Sequence, residues 1–156
     1  MRRLSKKDLL ILLQLRRNAR ESLTCISKKT GIPVSTIFDK LKGNVNRFVT
    51  KHTSLLDFGQ LGYGTRIHLV LRVKKEDREE AKHYLMRSPY VNSAYRVNNG
   101  YHYLVEAVLR DLPHVESFLD EMESCFKIEE KKIFYIVDEL KKEAFLENNE
   151  IVLASF

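Results

Sequence analysis

The chain has 156 residues, enough for one medium domain or two small ones, with 44% hydrophobic and 31% charged residues, a balance that argues against global disorder. No apolar run reaches membrane-spanning length, and the densest, Leu9 to Leu15, has basic flanks and no small-residue cleavage site after it, which argues against a signal peptide. The net charge of +6 is unevenly placed: Met1 to His52 hold thirteen Lys/Arg against three Asp/Glu, and the remainder fourteen against eighteen, so a cationic head precedes a mildly acidic body.

The first third reads as three helices. Ser5 with Asp8 forms a capping box, in which each side chain satisfies the other residue's free amide. Apolar positions then recur at helical spacing through Leu15, and Arg16 to Arg20 close the segment with cations that suit the helix dipole. Ser22 caps a second, short helix carrying Leu23, Cys25 and Ile26, and Gly31 stops it by taking the left-handed conformation. Pro33 opens a third helix, with Val34, Ile37, Phe38 and Leu41 on its inner side.

Two short helices around a glycine turn fit a helix-turn-helix, whose second helix enters the major groove of DNA. On that pattern Ser35, Thr36 and Asp39 come closest to the bases, while Lys28, Lys29, Lys40, Lys42 and Arg47 bind phosphate. A plain three-helix bundle with a solvated basic face is the competing interpretation.

From Phe48 to Phe58 the pattern turns β-like, and three glycines within Gly59 to Gly64 mark a hinge. Strands are predicted over Arg66–Val73, Tyr90–Val97, Tyr101–Leu109 and Lys131–Val137, with helices over Glu76–Arg87 and from Leu112 to Cys125. Asn98 to Gly100 form the hairpin turn, and Asp111 caps the last of these helices. The order β-α-β-β-α-β is ferredoxin-like, with both helices on one sheet face. The bare face needs cover, so a homodimer is expected, with Tyr95, Tyr101, Tyr103 and the Ile67–Leu71 strand supplying its surface. A monomer whose sheet is covered by the C-terminal segment is the alternative. Asp138 to Asn149 read as a helix, and Glu150 to Phe156 as a closing strand or tail.

Cys25 and Cys125 are far apart and lack metal-ligand spacing, so no disulfide framework, metal or cofactor is expected, and a reducing cytoplasm suits the chain.

Three motifs, "NARESLTCISKKTGIPVSTI", "LLDFGQLGYG" and "VNSAYRVNNGYHYLVEAVLRDLP", lie in the order and spacing of one family. They resemble the DNA-binding motif, linker and ligand-responsive module of the Lrp/AsnC ("feast/famine") transcriptional regulators. The resemblance runs from Ser5 to about Val137 and implies an α+β chain. Residues 1–50 would form a winged or three-helix helix-turn-helix domain, and 51–64 a linker strand and hinge. Residues 65–137 would form a ferredoxin-like βαββαβ (RAM/AsnC) domain for effector binding and oligomerisation, with 138–156 as a C-terminal extension. It also implies binding of double-stranded DNA as a dimer, tetramer or octamer, with an amino acid as effector. The family's hairpin commonly reads Gly-x-Tyr-Asp, and the matching positions Asn99, Gly100, Tyr101 and His102 are the candidate effector site. Asn99 tolerates the left-handed conformation, whereas His102 replaces an acceptor-only carboxylate by an imidazole that accepts only when neutral. Phe48 stands where the family usually has a glycine, and the extension lies beyond the family's last strand.

No nucleophile elbow, phosphate loop or zinc pattern stands in the chain, so no catalytic residue is assigned. The competing functions are a haem-biosynthetic (sirohaem) decarboxylase-like protein on the same fold, with His102 as its histidine, and an architectural DNA-binding protein without an effector.

Overall fold

A computed structural model describes residues 4–43 and 45–146. The chain divides into two compact units, Met1–Leu55 with Lys141–Phe156, and Leu56–Leu140.

In the first unit, helix α1 spans Lys6–Arg17, α2 Leu23–Thr30 and α3 Val34–Lys42, followed by a 3₁₀ turn over Val45–Arg47. The starts and stops follow local chemistry. The Ser5–Asp8 capping box is present in both directions, and the Ser22 hydroxyl accepts from the Cys25 amide. Gly31 ends α2 at φ 70°, where a residue with a Cβ is strained. Pro33 sits one place earlier than expected, as the N-cap of α3. The core is small: Ile11, Ile26, Ile32, Ile37 and Val45 are buried, with Leu10, Leu12, Leu15, Leu23 and Leu41 packed around them. No strand follows α3 among the described residues of this unit, so it is the three-helix form and carries no wing.

The second unit is a four-stranded antiparallel sheet with two helices: β1 Thr65–Val73, α4 Arg78–Arg87, β2 Val91–Arg96, β3 Tyr103–Leu109, α5 Leu112–Cys125 and β4 Ile128–Tyr135. The strand order is β2-β3-β1-β4, the ferredoxin-like arrangement. Register puts Ile67 opposite Ala107, Leu69 opposite Val105 and Leu71 opposite Tyr103. These residues share one face, and with Val115, Phe118, Leu119 and Met122 of α5 and Ala81 and Leu85 of α4 they form the larger core. Asn99 and Gly100 take φ 64° and 87°, so the hairpin turn forms on two left-handed residues.

Several expectations require correction. β4 begins three residues earlier than predicted, at Ile128, because pairing of Val73 with Ile128 and of Arg72 with Glu130 outweighs the weak strand preference of "IEE". Residues 48–57 carry no strand; an extended segment becomes a strand only through a neighbouring ladder, which the described residues do not offer this one. The helix expected over Asp138–Asn149 is absent through Leu146, and its last three residues lie outside the described residues. Its acidic and basic residues favour helix weakly, and short helices need packing to persist. The tail from Glu150 also lies outside the described residues.

Candidate nucleic-acid interface and effector hairpin

Helix α3 presents a narrow outward stripe. Ile37 is fully buried and Leu41 is half-buried, so the side of the helix that faces away carries Val34, Ser35, Phe38, Asp39 and Lys42, all exposed. Val34 and Phe38 therefore leave the inner side expected of them. A nine-residue helix over a core this small needs only one apolar edge, and Ile32 and Val45 fill the rest. Thr36, expected near the bases, is half-buried at the margin of the stripe.

The basic residues separate into two kinds. Lys28, Lys42 and Arg47 are exposed, and the Lys42 ammonium stands 4.4 Å from the centroid of the Phe38 ring. Lys29 is exposed but donates to Glu21 Oε2 at 2.9 Å. Lys40 turns inward. Its Nζ lies 2.6 Å from Asp8 Oδ1 and 3.3 Å from Ser5 Oγ, so it joins the cap of α1 to the middle of α3. The Asp8 side chain is only 3% exposed and that of Lys40 23%. Burial pushes the Asp8 carboxyl up, but hydrogen bonds from Lys40 and Ser5 outweigh it and hold the carboxyl below its ordinary value. Sequence spacing gave no sign of this pair, which lies thirty-two residues apart.

The start of the C-terminal extension touches the same unit. Arg16, at the end of α1, pairs with the Glu143 carboxylate and donates to the Glu143 carbonyl at 2.6 Å and the Phe145 carbonyl at 3.4 Å.

In the second unit, the sheet face opposite the helices carries Val70, Leu104, Val108, Tyr95 and Phe134. Its centre is more polar than expected: Arg66 bonds Glu106 at 3.1 Å and pairs with Glu139. Tyr103 does not belong to this face. It is buried with the core, and its hydroxyl donates to the Arg78 carbonyl at 2.7 Å. Ile67, Leu69 and Leu71 likewise point into the core, leaving His68 and Val70 from that strand on the open face.

The hairpin brings Asn99, Gly100, Tyr101 and His102 together at one end of the sheet. The Tyr101 hydroxyl donates to Glu130 Oε1 at 2.5 Å. His102 is tied at three points: its amide donates to the Leu71 carbonyl at 2.8 Å, its carbonyl accepts from Val97 at 3.0 Å, and its Nδ1 accepts from the Val73 amide at 3.0 Å. The last bond requires a neutral ring with its proton on Nε2. Burial and then the charge of Arg78, with smaller contributions from Arg72 and Arg96 against an opposing Glu129, lower the pKa of the ring. The imidazole is therefore a donor outward, not the acceptor that the family's carboxylate supplies.

The Lrp/AsnC ligand binding domain matches residues 65–145, more than half the chain. The chain belongs to the Lrp/AsnC family. The HTH-type transcriptional regulator FL11 of Pyrococcus horikoshii is 26% identical to it over 118 residues, covering 75% of this chain and 78% of that protein. The transcriptional regulator NMB0573 of Neisseria meningitidis, solved in complex with L-Met, shares the fold of this Lrp/AsnC chain with a TM-score of 0.84. Their sequences are 22% identical, with 90% of this chain and 94% of that one covered. LrpC of B. subtilis gives 0.80 at 20% identity, covering 89% and 98%.

Proposed function

We propose that this Lrp/AsnC chain is a sequence-specific, DNA-binding transcriptional regulator that acts as a dimer or larger assembly in the cytoplasm. The observation that carries the proposal is the outward stripe of α3 on a strongly cationic three-helix unit. Ser35 and Asp39 stand on that stripe, where a helix laid in the major groove meets base edges. Lys28, Lys42 and Arg47 flank it as phosphate contacts, with Lys29 shared between phosphate and Glu21. Lys40 acts through α1: it positions the helix rather than gripping phosphate. The relatives' description as HTH-type regulators supports the same function.

The open sheet face supports a homodimer, since Val70, Leu104, Tyr95 and Phe134 gain cover when two such faces meet. A two-fold dimer would present two copies of α3 to paired half-sites. The L-Met bound to the Neisseria regulator supports a small-molecule effector here, with Asn99, Gly100, Tyr101 and His102 as its site. A neutral His102 presenting Nε2–H favours a ligand group that accepts a hydrogen bond there. No transmembrane-length apolar helix occurs among the described residues, and both cysteines are free thiols. The decarboxylase alternative is weaker, because one nitrogen of His102 is committed to the backbone.

Selection of binding sites from random duplexes, with and without an amino-acid mixture, tests the proposal. A recovered inverted repeat is expected; no enrichment at low ionic strength would overturn it. Sedimentation at micromolar concentration should give a dimer or larger mass, and a monomer would refute the pairing of sheet faces.

A further inference from the structure

We infer that Val34 and Phe38 read thymine methyl groups in the major groove. The inference rests on the DNA-binding function proposed above. It starts from an anomaly: two apolar side chains stand 39% and 45% exposed on the stripe that carries Ser35, Asp39 and Lys42. At i and i+4 they lie one above the other on one side of α3. Among the described residues, the core of the first unit closes around Ile37 without either of them.

The major-groove edges of the base pairs offer donors, acceptors and a single apolar group, the C5-methyl of thymine. A side chain without polar atoms can recognise nothing else there. Cytosine, which lacks that methyl, turns an amine towards the same region, and an apolar contact would leave the amine dry and unpaired. Lys42 reinforces the assignment. Its ammonium lies over one side of the Phe38 ring at 4.4 Å, so the ring's other side and edge are left for the groove while the cation stays beside it for phosphate. Four residues of helix advance about 6 Å, and successive base pairs are about 3.4 Å apart. The two thymines therefore fall within about two base steps of each other in each half-site. Ser35 and Asp39, each next in the chain to one of the apolar residues and on the same stripe, take the polar edges of neighbouring pairs.

The test uses the full chain and duplexes selected from a random pool, remade with deoxyuridine replacing thymidine at one position at a time. Deoxyuridine keeps every donor and acceptor and lacks only the methyl. Wild type should lose about fourfold in affinity for each methyl that is read, from the transfer free energy of one such group. Phe38→Ala should bind thymidine and deoxyuridine duplexes equally at one of those positions, and Val34→Ala at the other. Both residues are exposed, and a circular dichroism melt matching wild type would verify the fold of each variant. If wild type binds its selected duplex but ignores every uridine substitution, the methyl assignment is wrong and the DNA-binding function stands. If no duplex is enriched, both fall. If Phe38→Ala changes the sedimentation mass and leaves the thymidine preference intact, the ring serves contact between copies, and the assignment is again wrong.

Discussion

Replacing Lys40 by methionine removes a charge while keeping most of the side chain's length, so the effect isolates the bond to Asp8. A fully buried pair broken on one side costs about 3–5 kcal/mol. Lys40 is 23% exposed and Asp8 keeps its bonds to the Ser5 hydroxyl and amide at 2.6 and 3.0 Å, which lowers the cost to about 2 kcal/mol. For a unit of this size that corresponds to a fall of about 10 °C in melting temperature. The assay is a thermal melt of the full chain, with hydrogen exchange across residues 5–42 to locate the loss. The sign with pH is set by Asp8, whose folded pKa is depressed. Its stabilisation is present above the ordinary aspartate value, about pH 4, and is lost as pH falls through the lower folded value. The gap between wild type and Lys40→Met should therefore hold at pH 7 and close only in strong acid. A variant that melts like wild type but shows a salt dependence of DNA binding lower by about one ion would refute the internal pair and make Lys40 a phosphate contact.

Three further outcomes are expected. Lys42→Ala should leave the melt within about 0.5 kcal/mol of wild type, as exposed substitutions do, and lower the salt slope of DNA binding by about one; an unchanged slope in a multi-salt titration would remove Lys42 from the interface. Gly31→Ala should cost about 1 kcal/mol in denaturant unfolding; the added Cβ meets nothing within 4 Å at φ +70°, so equal stability would mean that the turn does not need its left-handed residue. The folded His102 pKa is depressed, so the unfolded state binds the extra proton and stability falls as pH drops through about 6.5. His102→Asn keeps an acceptor for the Val73 amide and should flatten that slope between pH 7 and 5 in paired melts.

The sequence showed most where the signal is local. Ser5 with Asp8, Ser22, Gly31, Asp111 and Asn99-Gly100 each act within three or four residues, and each was legible. The alternation of β1 was legible as a strand, but its Ile67–Leu71 segment was assigned to the open face, whereas Ile67, Leu69 and Leu71 are buried in the core. Errors arose where distant partners decide. Phe38 fits an inward helical pattern, but the position of Ile32 and Val45 leaves room for one apolar edge only. Lys40 looks like any surface lysine until α1 brings Asp8 beneath it. Tyr103 shares the parity of Val105 and Ala107 and could have been assigned to the core on that basis. For Asp138 to Leu146, composition favoured a helix that the structure does not form.

The bond from Lys40 to Asp8 also constrains how such a protein can acquire new targets. Base-facing positions such as Ser35 and Phe38 are exposed and stand outside the buried core of the bundle, so they are open to exchange. Transplanting the whole of α3 from another regulator would strand a carboxylate under the first helix unless the donor segment brings a cation at the same place. Retargeting by point changes along the stripe is therefore cheap, whereas wholesale swaps have to carry residue 8 along with residue 40.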